Sequence, residues 1–203
     1  MKKLFSALAI ALLLTLPASF AGALTLEDNQ KIYTADLAAA WKAMDKAMLN
    51  ELAGGMVGFL PPADQSKVLA SATGAQMPAA NGGQLMLVIV AVPYNMVGID
   101  AAGLANIKND IKNGSAMLIN TAVNMMSSQV DYNLISKEAL ADGYLLEHKM
   151  GIMGESVNQV MSSRFTKNHM LIILGQYPGA SDKNDNAAIM TAVKSVKITA
   201  ANK

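Results

Sequence analysis

The chain has 203 residues, 52% of them hydrophobic, with 16 basic and 15 acidic side chains and no cysteine. A near-neutral balance with a single arginine supplies no basic patch of the kind that neutralises nucleic-acid phosphates, so no nucleic-acid partner is expected. The missing thiol excludes cysteine nucleophiles, thiolate metal sites, disulfides and a lipidated cysteine, and stability must come from a packed core, for which about 180 residues suffice.

The first elements concern export. Lys2 and Lys3 precede an uncharged apolar run from Leu4 to Leu16, Pro17 breaks it, and Ala21-Gly22-Ala23 supplies small residues at a cleavage position. These are the three parts of a secretory signal peptide. The run is too short for a spanning helix, which needs about 20 apolar residues. Cleavage after Ala23 (or after Ala21) predicts a signal peptide over 1–23 and a mature chain over 24–203, periplasmic or secreted and without a stable membrane anchor. Loss of Lys2 and Lys3 leaves 14 basic against 15 acidic side chains.

Residues 24–33 read as a lead-in. From Thr34, the apolar positions Leu37, Trp41, Met44, Met48 and Leu52 step by three or four, which predicts one face of a helix capped by Thr34 or Asp36 and closed by Gly54-Gly55. Met56–Leu60 and Lys67–Thr73 read as short strands around a Pro61-Pro62-Ala63-Asp64 turn, and residues 74–83 as a loop. Gln84 to Val92 is a continuous, β-branched apolar run ending at Pro93, the pattern of a central strand buried on both faces. Asp100 opens a long helical pattern through Leu104, Ile107, Ile111, Leu118, Ala122 and Met125. Gly114 lies inside it, where glycine costs about 1 kcal/mol and bends or breaks the helix.

After this the period changes to two. Tyr132–Lys137, Tyr144–Met150, Val157–Phe165 and Met170–Tyr177 read as four antiparallel strands, with Asp142-Gly143 and Lys167-Asn168 as turns. Asn184 or Asp185 caps a last helix with Ile189, Val193 and Val196 facing inward. The order predicts a single α+β domain: a mostly antiparallel sheet flanked by helices, with an N-terminal helical segment over 24–55 and a sheet-and-helix core over 56–198.

The apolar strand LMLVIVAV, the helix DAAGLANIKNDIKNGSAMLIN, the strand series from Tyr132 to Leu174 and the closing NAAIMTAVKSVKI helix together resemble the Mog1/PsbP-like family in element order. The resemblance implies an α/β/α sandwich on an antiparallel sheet, and an exported bacterial member of unknown role. It implies little about function, since that family includes a photosystem II lumenal subunit and a binder of a nuclear GTPase.

Chemistry-bearing residues are sparse. His148 and His169 are the only histidines, and no nucleophile elbow, P-loop or dinucleotide fingerprint is present. The most suggestive cluster is His148, Met150 and Met153, since imidazole and thioether together suit Cu(I). His148 and Met150 share a strand face, and pairing of Met150 with Val157 would place Met161 opposite Leu146 on that face. The same face carries Tyr144 and Leu146, however, and methionine fills irregular cores without any metal. Glu147 and Lys149 alternate with it and are expected in solvent or near Arg164. Asp131, Glu138 and Asp142 read as turn and surface carboxylates, because their spacing fits no calcium loop. Trp41 reads as core. The expectation is an exported, non-enzymatic binding or accessory domain of the cell envelope that needs no cofactor and has a protein partner there. The alternative is a periplasmic copper- or small-ligand-binding protein built on His148, Met150 and Met153.

Overall fold

A computed structural model describes residues 23–127, 131–152, 155–180 and 183–203. Apart from Ala23, the predicted signal peptide lies outside the described residues. Ten strands and five α-helices follow in chain order within them. They are β1 (Leu24–Glu27), β2 (Tyr33–Leu37), β3 (Lys42–Ala43), α1 (Lys46–Met56), α2 (Pro62–Leu69), β4 (Thr73–Pro78) and β5 (Gln84–Pro93). Next come α3 (Ala101–Lys112), α4 (Ala116–Ser127), β6 (Tyr132–Leu140), β7 (Gly143–Ile152), β8 (Glu155–Phe165), β9 (His169–Pro178), α5 (Lys183–Ser195) and β10 (Val196–Ile198). The α+β class with an antiparallel sheet flanked by helices is what the chain forms.

Seven strands make the main sheet in the order β3-β4-β5-β9-β8-β7-β6, every neighbouring pair antiparallel. The apolar run of β5 sits inside it, between β4 and β9. Leu85, Leu87, Ile89 and Ala91 are buried on one face and Val88, Val90 and Val92 on the other. The predicted register of Met150 on Val157 and Met161 on Leu146 holds.

The first face is sealed by α5, through Ile189, Ala192 and Val193, and by a small sheet ordered β1-β2-β10. On the second face, α1 and α2 pack on β5 through Ala53, Val57, Leu60 and Val68, while α4 packs on β7 through Ile119 and Ala122. Helices therefore lie on both sides of the sheet, and the ones on the second face are separated by the width of β9 and β8.

The N-terminal third departs from expectation. Residues 24–43 form strands, with Tyr33, Ala35 and Leu37 buried and alternating with partly or fully exposed positions. Their period of two competes with the period of three to four that Leu37, Trp41 and Met44 happen to give. Trp41 is core, as expected, but from a connecting segment. The helix starts at Lys46, where Asp45 accepts hydrogen bonds from the amides of Ala47 and Met48 at 3.0 Å, and it runs through Gly54-Gly55 to Met56. The two prolines open α2 instead of making a turn: Pro62 occupies the first helical position, where its missing N–H costs nothing. Met56–Leu60 and Lys67–Thr73 are thus mainly helix and turn, and the expected loop over 74–83 begins as β4.

Gly175 on β9 sets how closely α5 approaches. A Cβ there would lie 2.6 Å from Cγ2 of Ile189 and 3.0 Å from Cγ2 of Val193, both on stiff branched side chains of a packed helix. Gly175→Ala should therefore destabilise the fold by about 1–3 kcal/mol through overpacking, read as a lower urea midpoint with an unchanged slope.

Candidate functional site

In an antiparallel sheet of this width a central strand is expected to be covered on both faces. β9 is not: Leu171, Ile173, Gly175 and Tyr177 are buried, while Met170, Ile172, Leu174 and Gln176 on the opposite face are only half-buried. β8 continues this open floor with Met161 and Phe165, half-buried on the same face. The floor lies in the gap between the two helix pairs of the second face.

The result is a groove of about 810 Å³. Met56, Phe59 and Leu60 from the end of α1 form one wall, and Met117, Thr121 and Met125 of α4 the other, with Met96 and Val97 after β5 at one end. Seven of the fifteen methionines line it. Phe59, Met117 and Met125 are 61%, 51% and 69% exposed, so its rim presents large apolar side chains to water. Its polar groups are the hydroxyls of Thr121, Ser163 and Tyr144; none of its lining side chains is acidic or basic. Burial pushes the Tyr144 phenol up, against a hydrogen bond with Ser163 that lowers it. Such an apolar surface with few polar groups suits holding an apolar molecule.

The corner between α3 and α4 positions the second wall. Gly114 (φ +87°) and Ser115 (φ +56°) take left-handed conformations that end α3 and redirect the chain. Gly114 thus breaks the long helical pattern. Asp110 accepts from the amides of Met117 at 3.0 Å and Leu118 at 2.9 Å, capping α4 from the previous helix. The buried Ser115 hydroxyl donates to the Gly143 carbonyl at 2.8 Å, which pins the corner to β7.

His148 and Met150 stand on the same face of β7, beyond Leu146 and away from the groove lining. His148 is buried. Its Nε2 pairs with Gln159 Oε1 at 3.1 Å, Gln159 Nε2 donates to Gln176 Oε1 at 3.3 Å, and the ring lies 5.2 Å from that of Tyr132. His148 Nδ1 has no hydrogen-bond partner among the described residues. Met150 is half-buried opposite Tyr132 and Val157, and Met153 lies outside the described residues. Among the described residues no group of three or more His, Asp or Glu side chains is placed to hold a metal. Glu138 instead pairs with Lys194 at 2.7 Å, and Asp142 with Arg164 at 3.7 Å.

Glu147 corrects the expectation of a solvent-facing carboxylate. It is buried under α5, where Ser136 Oγ donates to Oε2 at 2.9 Å, Tyr177 O–H donates to Oε1 at 3.0 Å, and Asn186 Nδ2 also donates to Oε1. Burial first, and then the Glu147 carboxylate, push the Tyr177 phenol up to about 12. Lys149 is exposed, as expected. Sequence reasoning missed Glu147 because α5 reaches β7 only through the tertiary fold. It missed the groove because its floor alternates along β9 like any half-buried strand. The one usable signal was methionine recurring on both the helices and the strands.

No protein-family model matches the chain, and none supports membership of the Mog1/PsbP-like family. A comparison with curated proteins also gives no match. Among solved structures, the chain is similar to a protein from Bacteroides thetaiotaomicron, with a TM-score of 0.44 and 8% identity over 88% of this chain. The match spans about half (48%) of that protein. It is also similar to LpqN, involved in cell envelope biogenesis of Mycobacterium tuberculosis, with a TM-score of 0.41 and 10% identity over 88% of this chain and 91% of LpqN. Neither likeness bears on what this chain does. Among the described residues no helix is long and apolar enough to cross a membrane.

Burial lowers the pKa of His148 below its ordinary 6.5, against the opposing hydrogen bond with Gln159. The unfolded chain therefore takes up a proton near pH 6.5 while the native state does not, and stability falls as pH drops from about 6.5 toward the depressed native value. Urea midpoints measured between pH 7.5 and 5.5 should decline for the wild type and decline less steeply for His148→Gln. His169, lowered by burial as well, retains its own share of the slope.

Proposed function

We propose that this chain is an exported, non-catalytic binding domain of the cell envelope, and that its ligand is an apolar molecule or segment held in the methionine-lined groove. The observation that carries this reading is the half-open apolar face of β9 at the centre of the sheet, inside a groove of about 810 Å³. That volume lies within the range of pockets that bury small ligands, and Phe59 and Met117 at its rim are large apolar side chains that the described residues leave exposed. Methionine favours such a role, because its unbranched thioether adapts to the shape of what it meets. The exported location rests on the amino-terminal pattern of Lys2, Lys3 and the run to Leu16.

The groove should bind an environment-sensitive apolar dye such as 1-anilinonaphthalene-8-sulfonate in the native state and release it to a single-chain lipid in competition. Thr121 is exposed on α4 and lines the groove. Thr121→Trp should fill the space and weaken dye binding at least tenfold while leaving the circular dichroism and urea midpoint unchanged. Native wild-type protein that takes up neither dye nor lipid would refute the reading.

A second reading has one observation in its favour: among the described residues the buried His148 Nδ1 has no hydrogen-bond partner, and Met150 stands on the same strand face. An imidazole whose pKa is lowered by burial is neutral at pH 7, as a metal ligand must be. On this reading His148, Met150 and Met153 take Cu(I). Titration under reducing conditions against a chromophoric Cu(I) chelator should then give sub-micromolar affinity that His148→Gln removes; weaker binding, or binding unaffected by that change, would end it.

A further inference from the structure

We propose that the occupant of the groove is a single-chain lipid with an anionic phosphate head, its acyl chain on the β9 floor and its head in a second, basic groove next to the first. The proposal rests on the apolar-ligand reading above and names the ligand class. The second groove also measures about 810 Å³ and lies between the end of α3, the β6–β7 turn and the strand β10 with the residues after it. Six of the chain's sixteen basic side chains line it: Lys108, Lys112, Arg164, Lys194, Lys197 and Lys203. Asp142 is its one acidic lining side chain. In a chain of formal net charge +1 this concentration of one sign is local, and it focuses a positive potential over one cleft.

The cations are not equally available. Arg164 is buried and committed, donating to the carbonyls of Val196 at 2.7 Å and Val193 at 3.4 Å while it faces Asp142. Lys194 pairs with Glu138 at 2.7 Å and Lys197 with Asp36 at 3.5 Å. Among the described residues Lys108, Lys112 and Lys203 hold no ion pair, and all three are exposed. Two of these free cations stand on the last part of α3. Lysine is suited to phosphate as a mobile point charge.

Two features join the grooves. Phe165 at the end of β8 lines both. Helix α3 divides them, with Ile107 lining the apolar groove and the adjoining Lys108, with Ile111 and Lys112, lining the basic one. This helix has no buried residue; its apolar stripe of Leu104, Ile107 and Ile111 is only half-buried. An amphiphile lying across Phe165 along α3 would cover that stripe and place charge against Lys108 and Lys112. A neutral apolar ligand would leave the cations unused.

The test compares two lipids of one chain length below their critical micelle concentrations, 1-palmitoyl lysophosphatidylglycerol and 1-palmitoyl lysophosphatidylcholine, by isothermal titration on the mature protein. The anionic lipid should bind about tenfold tighter, the sum expected of two or three exposed ion pairs. Charge reversal by Lys108→Glu with Lys112→Glu, at exposed positions, should remove that preference. So should 0.5 M salt with the wild type, which gives the same readout should the double variant misfold. Thr121→Trp should weaken both lipids alike. Equal binding of the two lipids, insensitive to salt and to charge reversal, would overturn the anionic head while leaving the apolar groove intact. A preference that survives Thr121→Trp at full affinity would overturn the joining of the two grooves. Failure of both lipids to bind would sink the apolar-ligand reading itself. So would a dimer by light scattering that Thr121→Trp dissociates, since a second copy would then be the occupant.

Discussion

A sheet with a continuous apolar strand at its centre has to be covered on both sides, and in this chain the two sides are covered by different means. Helix α5 lies directly against β9 and β8, brought close by the absent side chain of Gly175, and the small sheet of β1, β2 and β10 closes the rest of that face. Each fully buried Leu or Ile there contributes roughly 1.5–3 kcal/mol by leaving water. The other face has two separate helix pairs, each anchored to its own strand, α1 and α2 to β5 and α4 to β7. What lies between them is left to solvent or to a ligand. The groove is therefore a consequence of where two helix pairs are fastened.

The sealed face carries the charges that burial makes expensive, and each has its partners. Glu147 accepts from three side chains. Asp28 accepts from the amides of Gln30, Ile32 and Tyr33 and so shapes the turn between β1 and β2. Arg164 reaches carbonyls where α5 ends and β10 begins, a place where the helix dipole favours a cation. A buried charge with its hydrogen bonds intact is weak evidence of stabilisation but costly to break. These three groups fix the geometry of the turns and of α5 more than they add to stability.

The parts of this architecture legible in the sequence are those where a local pattern and the tertiary demand agree. The run from Gln84 to Val92 could satisfy only a strand buried on both sides, and β9 alternates because one of its faces is sealed and the other half open. Gly114 marks a helix break, since the corner needs a left-handed backbone there. The residues from Thr34 to Thr73 were illegible for an equally physical reason. Leu37, Trp41 and Met44 are buried from a strand and the segments after it. Their spacing imitates a helical stripe by coincidence, since Leu37 and Trp41 enter the core on the sealed face and Met44 enters the one on the opposite face. Pro61-Pro62 reads as a turn and begins a helix, a choice that depends on Val68 finding Val88 and its neighbours across the sheet. At the site, the shared face of His148 and Met150 was legible from strand period. The groove was not, because no sequence pattern records where two helix pairs stop short of each other.

The position of α3 relates the two grooves to the dynamics of the fold. A helix with an amphipathic stripe and no buried residue draws little of its stability from packing. Its fixed points are at its ends, where Asp100 caps its first turn by accepting from the Gly103 amide at 2.8 Å and Asp110 holds the start of α4. Segments of this kind open at the low end of a protein's range of local stabilities. An elongated ligand that lies along α3 would exchange half-buried Leu104, Ile107 and Ile111 from water to acyl chain. It would then stabilise an element that has no buried residue of its own. On the proposed reading, ligand uptake and ordering of α3 would be one equilibrium. The methionines on the facing wall would make such an equilibrium tolerant of chain length, because thioether side chains re-pack where branched aliphatics would not.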